Sequence, residues 1–312
     1  MAKLPRLSEP IQTDQYRCYD PEGNEIPCAG TGQDGDLKKG RAWPDPRFEV
    51  HKEWVLDRLT QHIWTKNANL PGFPLTWEEG HAYVDAMNAA AALGRSDWKL
   101  PSRAALFGLV SHVNVNPALP EGHPFVDVFS GYYWTRTPVV RFSSQAWYVH
   151  LGGARVFKGM KHGSYMVWPV AENLPEGPGE TARFVGQGST VRDQSTGLEW
   201  MRQAGEIGPL DWESAFQAVD SMNGKGACGF TDWRLPNVRE LESLVCLEGH
   251  TPALSPNHPF RGVEASYWSA TTSSYEGTYA WVLHMDDGAI GVGFKKNKEF
   301  WAWPVRDGDL RT

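Results

Sequence analysis

An internal repeat is the feature that most constrains how this chain can fold. Residues 96–101 read SDWKLP and residues 231–236 read TDWRLP, so the two segments lie 135 positions apart. The same separation, within one residue, relates VDAMN at 84–88 to VDSMN at 219–223. Solenoid repeats have periods of about 20–50 residues. The much longer period here predicts the duplication of a whole domain.

The twinned segments define the domain boundaries that we predict. The first copy spans residues 48–171, and the second copy spans residues 184–307. Residues 172–183, which are rich in Pro, Gly and Glu, are predicted to be a linker. Residues 1–47 form an extended lead-in, and residues 308–312 form a tail. A chain of 312 residues is long enough for two such domains.

Both copies show the same order of predicted elements. Residues 55–64 have the alternation of a hairpin. Thr76 and its twin Asp211 are suitable N-caps for a helix, and Asn237 predicts the start of a second helix. The remainder of each copy has the composition of strands. We therefore predict an α+β fold in which each copy has two helices and an antiparallel sheet.

Tryptophan is unusually frequent, with 15 residues, and exposed Trp often marks a binding site. Residues that both copies retain are more often required by the fold than by a ligand, so we predict that the twinned Trp residues are core. The twinned residues are Trp64 and Trp200, Trp77 and Trp212, Trp98 and Trp233, Trp134 and Trp268, Trp147 and Trp281, and Trp168 and Trp303. Trp43, Trp54 and Trp301 have no twin and are the better binding candidates.

Two pairs of polar twins are also predicted to be structural. Asp97 and Asp232 precede the Trp of the repeated motif, and we expect their carboxylates to accept hydrogen bonds from nearby backbone. His150 and His284 lie on a strand between apolar neighbours. A buried histidine with satisfied nitrogens is the more common case there than a ligand.

The four cysteines form two local pairs. Cys18 and Cys28 bracket a turn-rich stretch, and Cys228 and Cys246 lie close together in the second copy. Two short-loop disulfides are predicted, although four cysteines allow three connectivities. Four free, buried thiols are the alternative. Disulfides would indicate an extracytoplasmic protein.

Charge and hydropathy argue against two classes of partner. The net charge of −7 is opposed to a protein that coats nucleic acid, because phosphate binding needs a concentrated basic face. No apolar run has the length of a membrane span. The positively charged start has no apolar stretch after it, so no leader is visible. The protein is either cytosolic or numbered from after a removed leader.

Known catalytic and cofactor motifs do not fit this chain. Residues 30–35 (GTGQDG) match a dinucleotide-binding glycine pattern, but no predicted strand precedes them and no helix follows, so we predict a loop. The cysteines lack zinc-binding spacing. Asp34, Asp36 and the Asp286–Asp287 turn have oxygen ligands for Ca²⁺, with solvated turn carboxylates as the alternative. We predict no other cofactor and no enzymatic activity.

The copies differ most between the Tyr-Trp strand and the closing Trp-Pro-Val strand. Aromatic and charged side chains on strand ends and loops commonly form recognition surfaces, so we predict ligand-binding residues there. In the first copy the candidates are Arg136, Arg141, Arg155, Lys158, Lys161 and Tyr165. In the second copy they are Tyr275, Tyr279, Lys295, Lys296 and Trp301. The basic excess in the first copy suits a sulfated or carboxylated polymer, and surface drift between the copies is the alternative.

One ordered set of motifs carries a family resemblance. It runs from DWRLPN at 232–237 through Pro-Ala-Leu, His-Pro-Phe and Tyr-Trp-Ser-Ala-Thr to Trp-Pro-Val-Arg at 303–306. This pattern resembles the bacterial domain family typified by the C-terminal domain of the Legionella collagen-like adhesin. The Arg-Leu-Pro segment is also similar to sulfatase-modifying enzymes and to the variable proteins of diversity-generating retroelements. The resemblance implies a C-type-lectin-like fold, a secreted or surface location and the binding of sulfated glycans.

Three functions were weighed on this basis. The leading hypothesis is a non-catalytic surface or secreted protein that binds a glycan or another surface polymer. The first alternative is a self-associating structural subunit of a surface layer or filament. The second is an oxidase of the formylglycine-generating type, which needs a pair of cysteines late in the domain, whereas no cysteine follows Cys246.

Overall fold

A computed structural model describes residues 9–172 and 183–308 of the chain. The chain divides into two compact units. One unit comprises Met1–Arg41 with Pro175–Thr312, and the other comprises Ala42–Leu174. The lead-in therefore packs with the second copy, and each unit is described by itself below.

The predicted linker at 172–183 and the predicted tail at 308–312 fall mostly outside the described residues. The described part of the lead-in, residues 9–47, contains two short strands and one helical turn. They are β1 (Cys18–Tyr19), β2 (Glu25–Ile26) and α1 (Asp34–Leu37). A disulfide joins Cys18 to Cys28 and closes the β1–β2 hairpin, so this predicted disulfide is confirmed.

The first copy contains two helices and seven strands among its described residues. They are β3 (Phe48–Val50), β4 (Trp54–Asp57), β5 (His62–Thr65), α2 (Trp77–Ala89), α3 (Arg103–Leu109), β6 (Tyr132–Pro138), β7 (Gln145–His150), β8 (Arg155–Met160) and β9 (Val170–Ala171). Strands β3, β4, β5 and β9 form one antiparallel sheet in that order. Strands β6, β7 and β8 form an antiparallel meander.

The second copy repeats this order with two additional strands in its described part. Its elements are β10 (Phe184–Gln187), β11 (Thr190–Asp193), β12 (Leu198–Met201), β13 (Ile207–Leu210), α4 (Trp212–Gly224), α5 (Val238–Leu244), β14 (Ser266–Thr272), β15 (Tyr279–His284), β16 (Ala289–Phe294), β17 (Phe300–Ala302) and β18 (Val305–Asp307). Strands β10, β11, β12 and β18 pair in that order. Strands β13, β17, β14, β15 and β16 form a second group, in which only the β14–β17 pairing is parallel. Both copies are therefore α+β and dominated by sheet.

Side-chain caps explain where the helices begin. The Thr76 hydroxyl accepts a hydrogen bond from the backbone N–H of Glu79, whose carboxylate in turn accepts from Thr76. Asn237 and Glu240 form the same capping box ahead of α5. The Asp211 carboxylate accepts from Ser214 N–H, 2.8 Å away, at the start of α4. Each cap contributes about 1 kcal/mol, and all three predicted caps are confirmed.

The twinned tryptophans form the cores of both copies. Eleven of the twelve are buried, and only Trp77 is half-buried. In the Trp98 and Trp233 pair, the indole N–H groups donate to equivalent backbone carbonyls: Trp98 to Ala92 at 3.0 Å and Trp233 to Ala227 at 2.9 Å. Because these rings are fully buried and fixed by a hydrogen bond, their role is structural. The core prediction is confirmed for all but Trp77.

The turn ahead of the repeated Leu-Pro is fixed by asparagine, not by aspartate. The Asn88 side chain accepts from the backbone N–H of Trp98 and donates to its carbonyl, both at 2.8 Å. Asn223 does the same for Trp233. The carboxylate of Asp97 instead pairs with Arg95. The turn-fixing role predicted for the aspartates is instead filled by the asparagines, because an amide satisfies both backbone groups of the Trp residue whereas a carboxylate can only accept.

The second predicted disulfide is absent. Cys228 and Cys246 are free thiols. Cys228 lies in a tight turn after α4, next to Ser189, whereas Cys246 follows α5 and donates its backbone N–H to the Ala253 carbonyl. Helix α5 and the Leu-Pro segment separate the two positions along the chain. The two sulfurs are not bonded to each other, and the prediction of a disulfide for this pair is wrong.

Candidate functional site

The predicted basic residues of the first copy have different surroundings. Arg141 and Arg155 are exposed, and Lys158 is half-buried. Arg136 forms a two-pronged ion pair with the buried carboxylate of Glu172, one contact of which is 2.7 Å. The Arg136 guanidinium therefore has a structural role, because it compensates the buried negative charge of Glu172.

The Lys161 ammonium lies 4.1 Å from the centre of the Trp77 ring. The backbone N–H of Trp77 also donates to the Lys161 carbonyl at 3.0 Å. The second copy repeats this arrangement with Lys295 and Trp212, where the distance from ammonium to ring is 4.0 Å. A contact that both copies retain is part of the scaffold, and it stabilises the ammonium by cation–π attraction.

The predicted residues of the second copy also have different surroundings. Lys295 is 1% exposed, and its ammonium donates to the Asp20 carbonyl of the lead-in at 3.2 Å. Lys296 pairs with Glu22, also in the lead-in, at 2.8 Å. Tyr275 is 65% exposed on the β14–β15 loop. Two of the candidates, Tyr279 in β15 and Trp301 in β17, are half-buried within strands.

A group of aromatic side chains covers one face of the β6–β7–β8 meander. Alternate strand residues lie on the same face, and the register pairs Tyr132 with His150 and His150 with Arg155. It also pairs Tyr148 with Phe157. Tyr165 packs onto this face from the following loop. We call the group the tyrosine platform, and it consists of Tyr132, Tyr148, His150, Arg155, Phe157 and Tyr165.

The rings of the tyrosine platform contact one another. The centre of the Tyr132 ring lies 5.0 Å from that of Tyr148 and 5.2 Å from that of Tyr165. The Tyr148 and Tyr165 centres are 5.2 Å apart, and the His150 ring lies 4.7 Å from Tyr132. Tyr165 also packs at 4.3 Å on the buried Trp134. The rings are thus held by the core while their outer edges remain accessible: Tyr132 is 43% exposed and Phe157 is 48% exposed.

Burial shifts the pKa values of two phenols and the imidazole of the platform toward their neutral forms. Burial, with the neighbouring Tyr165 and Tyr132 rings, raises the pKa of Tyr148 to about 12. Burial also raises the pKa of Tyr165. Burial lowers the pKa of His150, and the positive charge of Arg155 lowers it further. The platform therefore presents neutral hydrogen-bonding edges and one permanent positive charge, Arg155.

The same face in the second copy has different chemistry. The positions of Tyr132, Tyr148, Arg155 and Phe157 are taken there by Ser266, Val282, Ala289 and Gly291. Phe300 replaces Tyr165 and packs on Trp268 at 4.5 Å. The residues with small side chains at these positions are mostly buried. The tyrosines and the arginine on this face are therefore features of the first copy only.

Sequence reasoning found two residues of this surface, Arg155 and Tyr165, and missed the others. Tyr132 and Tyr148 alternate with buried residues on their strands, but so do many exposed strand residues. The usable signal was the comparison of the copies strand by strand. At equivalent positions, the first copy has Tyr132 and Tyr148 where the second copy has Ser266 and Val282.

The tip of the β6–β7 hairpin is a second exposed area of the first copy. Val140 is 60% exposed and Phe142 is 43% exposed. The Arg141 guanidinium lies 5.2 Å from the Phe142 ring, and the Lys158 ammonium lies 6.0 Å from it. The tip thus combines apolar surface with positive charge.

A cleft of about 380 Å³ lies in the unit formed by the lead-in and the second copy. Some of its charged groups pair with one another. Asp307 accepts from Lys39 at 2.7 Å and from Arg234 at 2.8 Å, and Asp232 accepts from Arg306 at 2.8 Å. Asp36 and Asp220 also line the cleft, and neither forms an ion pair within residues 9–172 and 183–308.

The carboxylates considered for Ca²⁺ have protein partners. Asp34 is buried and accepts from the hydroxyls of Thr13 and Thr271, both at 2.7 Å. Asp36 accepts from the backbone N–H of Gly32 at 3.1 Å, and Asp287 accepts from that of Ala289 at 2.9 Å. Within residues 9–172 and 183–308, no group of three or more His, Cys, Asp or Glu side chains is placed to hold a metal ion. None of the helices in these ranges is long and apolar enough to span a membrane.

Fold and surface together define a duplicated, sheet-dominated α+β protein whose first copy carries an exposed aromatic platform. Residues 53–171 and 189–306 each match the family of the Lcl C-terminal domain, and the chain belongs to this family. The predicted family and its two tandem copies are thereby confirmed. A search of curated proteins found no match to the chain.

Proposed function

We propose that the chain is a non-catalytic, adhesin-type binding protein located outside the cytoplasm, and that its tyrosine platform binds a glycan. The membership of both copies in the Lcl C-terminal domain family supports an adhesin-like role. The Cys18–Cys28 disulfide supports an oxidising compartment. The family resemblance also supports a C-type-lectin-like build for each copy.

One observation carries the glycan proposal. Three tyrosines and one arginine lie on an exposed sheet face on which the second copy has small and apolar residues. Aromatic faces pack against the C–H faces of sugar rings, and Tyr and His edges hydrogen-bond to hydroxyls. The Arg155 guanidinium matches the geometry of an anionic group such as a sulfate. Neutral phenols suit stacking and hydrogen bonding better than proton transfer, and this favours binding over catalysis.

The test compares a sulfated hexasaccharide with its desulfated counterpart by titration calorimetry. Tyr132→Ser and Arg155→Ala introduce the residues of the second copy, Ser266 and Ala289, at matching positions. Each variant should weaken binding of the sulfated sugar about three- to tenfold. Arg155→Ala should leave the desulfated sugar unaffected. Tyr275→Ala, at an exposed tyrosine of the second copy, is the control. Unchanged affinity in Tyr132→Ser would contradict the proposal.

A second candidate function is a self-associating structural subunit. The hairpin tip favours it, because Val140 and Phe142 expose apolar surface to solvent. Sedimentation velocity over a range of concentrations tests it, with Phe142→Ser as the variant. Concentration-independent monomers in the unmodified protein would rule this function out.

A further inference from the structure

The lead-in covers a specific part of the second copy. The Asn237 side chain donates to the Lys39 carbonyl at 3.0 Å, and the Thr271 hydroxyl donates to the Asp34 carboxylate at 2.7 Å. The Lys295 ammonium donates to the Asp20 carbonyl at 3.2 Å. Three donors of the second copy are thus satisfied by one acidic, disulfide-closed segment.

The first copy retains these three donors at the twin positions, as Ser102, Thr137 and Lys161. We call them the donor row. Thr137 accepts from the backbone N–H of Arg103 at 3.1 Å, as Thr271 accepts from Val238 at 3.0 Å. The Ser102 hydroxyl caps α3 as Asn237 caps α5. Lys161 lies over Trp77 as Lys295 lies over Trp212.

The side chains of the donor row differ from the equivalent side chains of the second copy in solvent exposure and in whether they donate hydrogen bonds. Thr271, Asn237 and Lys295 are at most 3% exposed, whereas Thr137, Ser102 and Lys161 are all half-buried. Within the described ranges 9–172 and 183–308, the two hydroxyls accept hydrogen bonds but donate none, and the Lys161 ammonium forms neither a hydrogen bond nor an ion pair. Trp77, half-buried where Trp212 is 2% exposed, belongs to the same surface.

We infer that the donor row of the first copy is a docking surface for an extended acidic segment of a partner protein. Three donors in this arrangement match a carboxylate flanked by backbone carbonyls, which is what the lead-in offers to the second copy. Residues 9–41 contain seven Asp or Glu and four Lys or Arg, so the segment seen on the second copy is acidic. Lys161 supplies the positive charge of the donor row, and His162, which follows it in the chain, is exposed. This inference concerns residues other than the tyrosine platform and stands independently of glycan binding.

Two departures show that the occupant differs from the lead-in itself. Pro138 replaces Thr272, whose backbone N–H donates to Gln15 at 3.2 Å, so that contact is lost. Ser143 replaces Gly277, and a Cβ at Gly277 would lie 2.9 Å from the Gly23 carbonyl oxygen. The turn at Gly23 therefore fits the second copy better than the first. The partner segment needs the central carboxylate but neither that turn nor the glutamine.

The probe is the disulfide-closed peptide of residues 18–36, which carries both the Asp20 carbonyl and the Asp34 carboxylate. It is titrated into the full chain, and the readout is the indole N–H signal of Trp77 in NMR spectra. The second copy holds its own lead-in at a high effective concentration, so the peptide competes poorly there. Saturable binding with a Kd below about 1 mM is expected.

Variants assign the binding to the donor row. Thr137→Val and Lys161→Met should each weaken binding at least about fivefold, while Thr137→Ser, which keeps the hydroxyl, should retain it. Ser143→Gly should tighten it, because the residue of the second copy is restored.

Failure of the unmodified chain to bind the peptide overturns the inference, including the case in which only Ser143→Gly binds. Equal binding by Thr137→Val and Lys161→Met also overturns it, since the peptide then lies elsewhere. A sulfated oligosaccharide that shifts the Trp77 signal where the peptide does not would assign the surface to glycans instead.

Discussion

Lys295 gives the sharpest test of how the lead-in is held. Its side chain is 1% exposed, its ammonium lies 4.0 Å from the centre of the Trp212 ring, and it donates to the Asp20 carbonyl at 3.2 Å. Burial lowers the pKa of Lys295 to about 7, and the negative charge of Asp20 opposes this shift. Replacing Lys295 by Met removes the titrating group and keeps much of the side-chain volume.

The sign of the effect follows from proton binding. The pKa of lysine in the unfolded chain is near its ordinary value of 10.5. Between about pH 7 and pH 10.5 the unfolded chain binds a proton that the folded chain has released, so the stability of the unmodified protein rises with pH. The slope is about 1.4 kcal/mol for each pH unit at most, or ~4–5 kcal/mol over the whole interval. Below about pH 7 both states are protonated and this contribution is constant.

Urea unfolding followed by Trp fluorescence measures the effect between about pH 6 and pH 9. The stability of Lys295→Met relative to the unmodified protein should be highest near pH 6 and should fall by up to about 3 kcal/mol between pH 7 and pH 9. Both chains carry Cys228→Ser and Cys246→Ser, so that no free thiolate attacks the disulfide. Lys161→Met is the matched control in the first copy. A constant difference between pH 7 and pH 9, or an equal slope in the control, would refute the reasoning.

Two thiols per chain should react with a thiol reagent in urea without reductant, because Cys228 and Cys246 are free; a count of zero would show that they are bonded. Arg234→Met should lower the free energy of unfolding by about 3–5 kcal/mol, since it leaves the buried Glu240 carboxylate without its partner. Adding Glu240→Met should restore most of this loss in urea unfolding, and a double variant as unstable as the single one would contradict the ion-pair explanation. Burial raises the pKa of Asp34 to about 6, so the folded chain binds this proton more tightly than the unfolded chain does. Stability should therefore fall by up to ~3 kcal/mol from about pH 4 to pH 6, and Asp34→Asn should abolish that fall; an unchanged pH profile in the variant would be contrary evidence.

The features that the sequence predicted correctly depend on local chemistry or on the repeat. Thr76 and Asn237 cap their helices because a capping side chain and its backbone partner lie three residues apart. The twinned Trp residues are core because two copies of one fold need the same large side chains in the same places. The disulfide of the lead-in was predicted because Cys18 and Cys28 enclose a turn-rich stretch.

The features that sequence reasoning missed depend on strand register and on contacts across long stretches of chain. Tyr132 and Tyr165 meet because β6 carries one and the loop before β9 carries the other, and no short-range pattern reports that contact. The docking of Asp34 on Thr271 joins positions 237 residues apart. For the same reason, Lys295 was predicted to bind ligand although the lead-in buries it.

The two copies also compensate their buried charges differently, and this limits what comparison of twins can reveal. In the second copy, Arg234 pairs with Glu240 and Asp307. In the first copy the corresponding guanidinium comes from Arg136, on a different element, and pairs with Glu172. In a position-by-position comparison, Arg136 looks like an additional surface charge of the first copy. It instead takes the role that Arg234 has in the second copy, which is to pair with an internal carboxylate.

Once Arg136 is assigned to the fold, Arg155 is the one permanent charge of the tyrosine platform. A glycan bound there would therefore depend on ring stacking more than on charge. Its affinity should fall only shallowly with salt, in contrast to a ligand held by a row of cations.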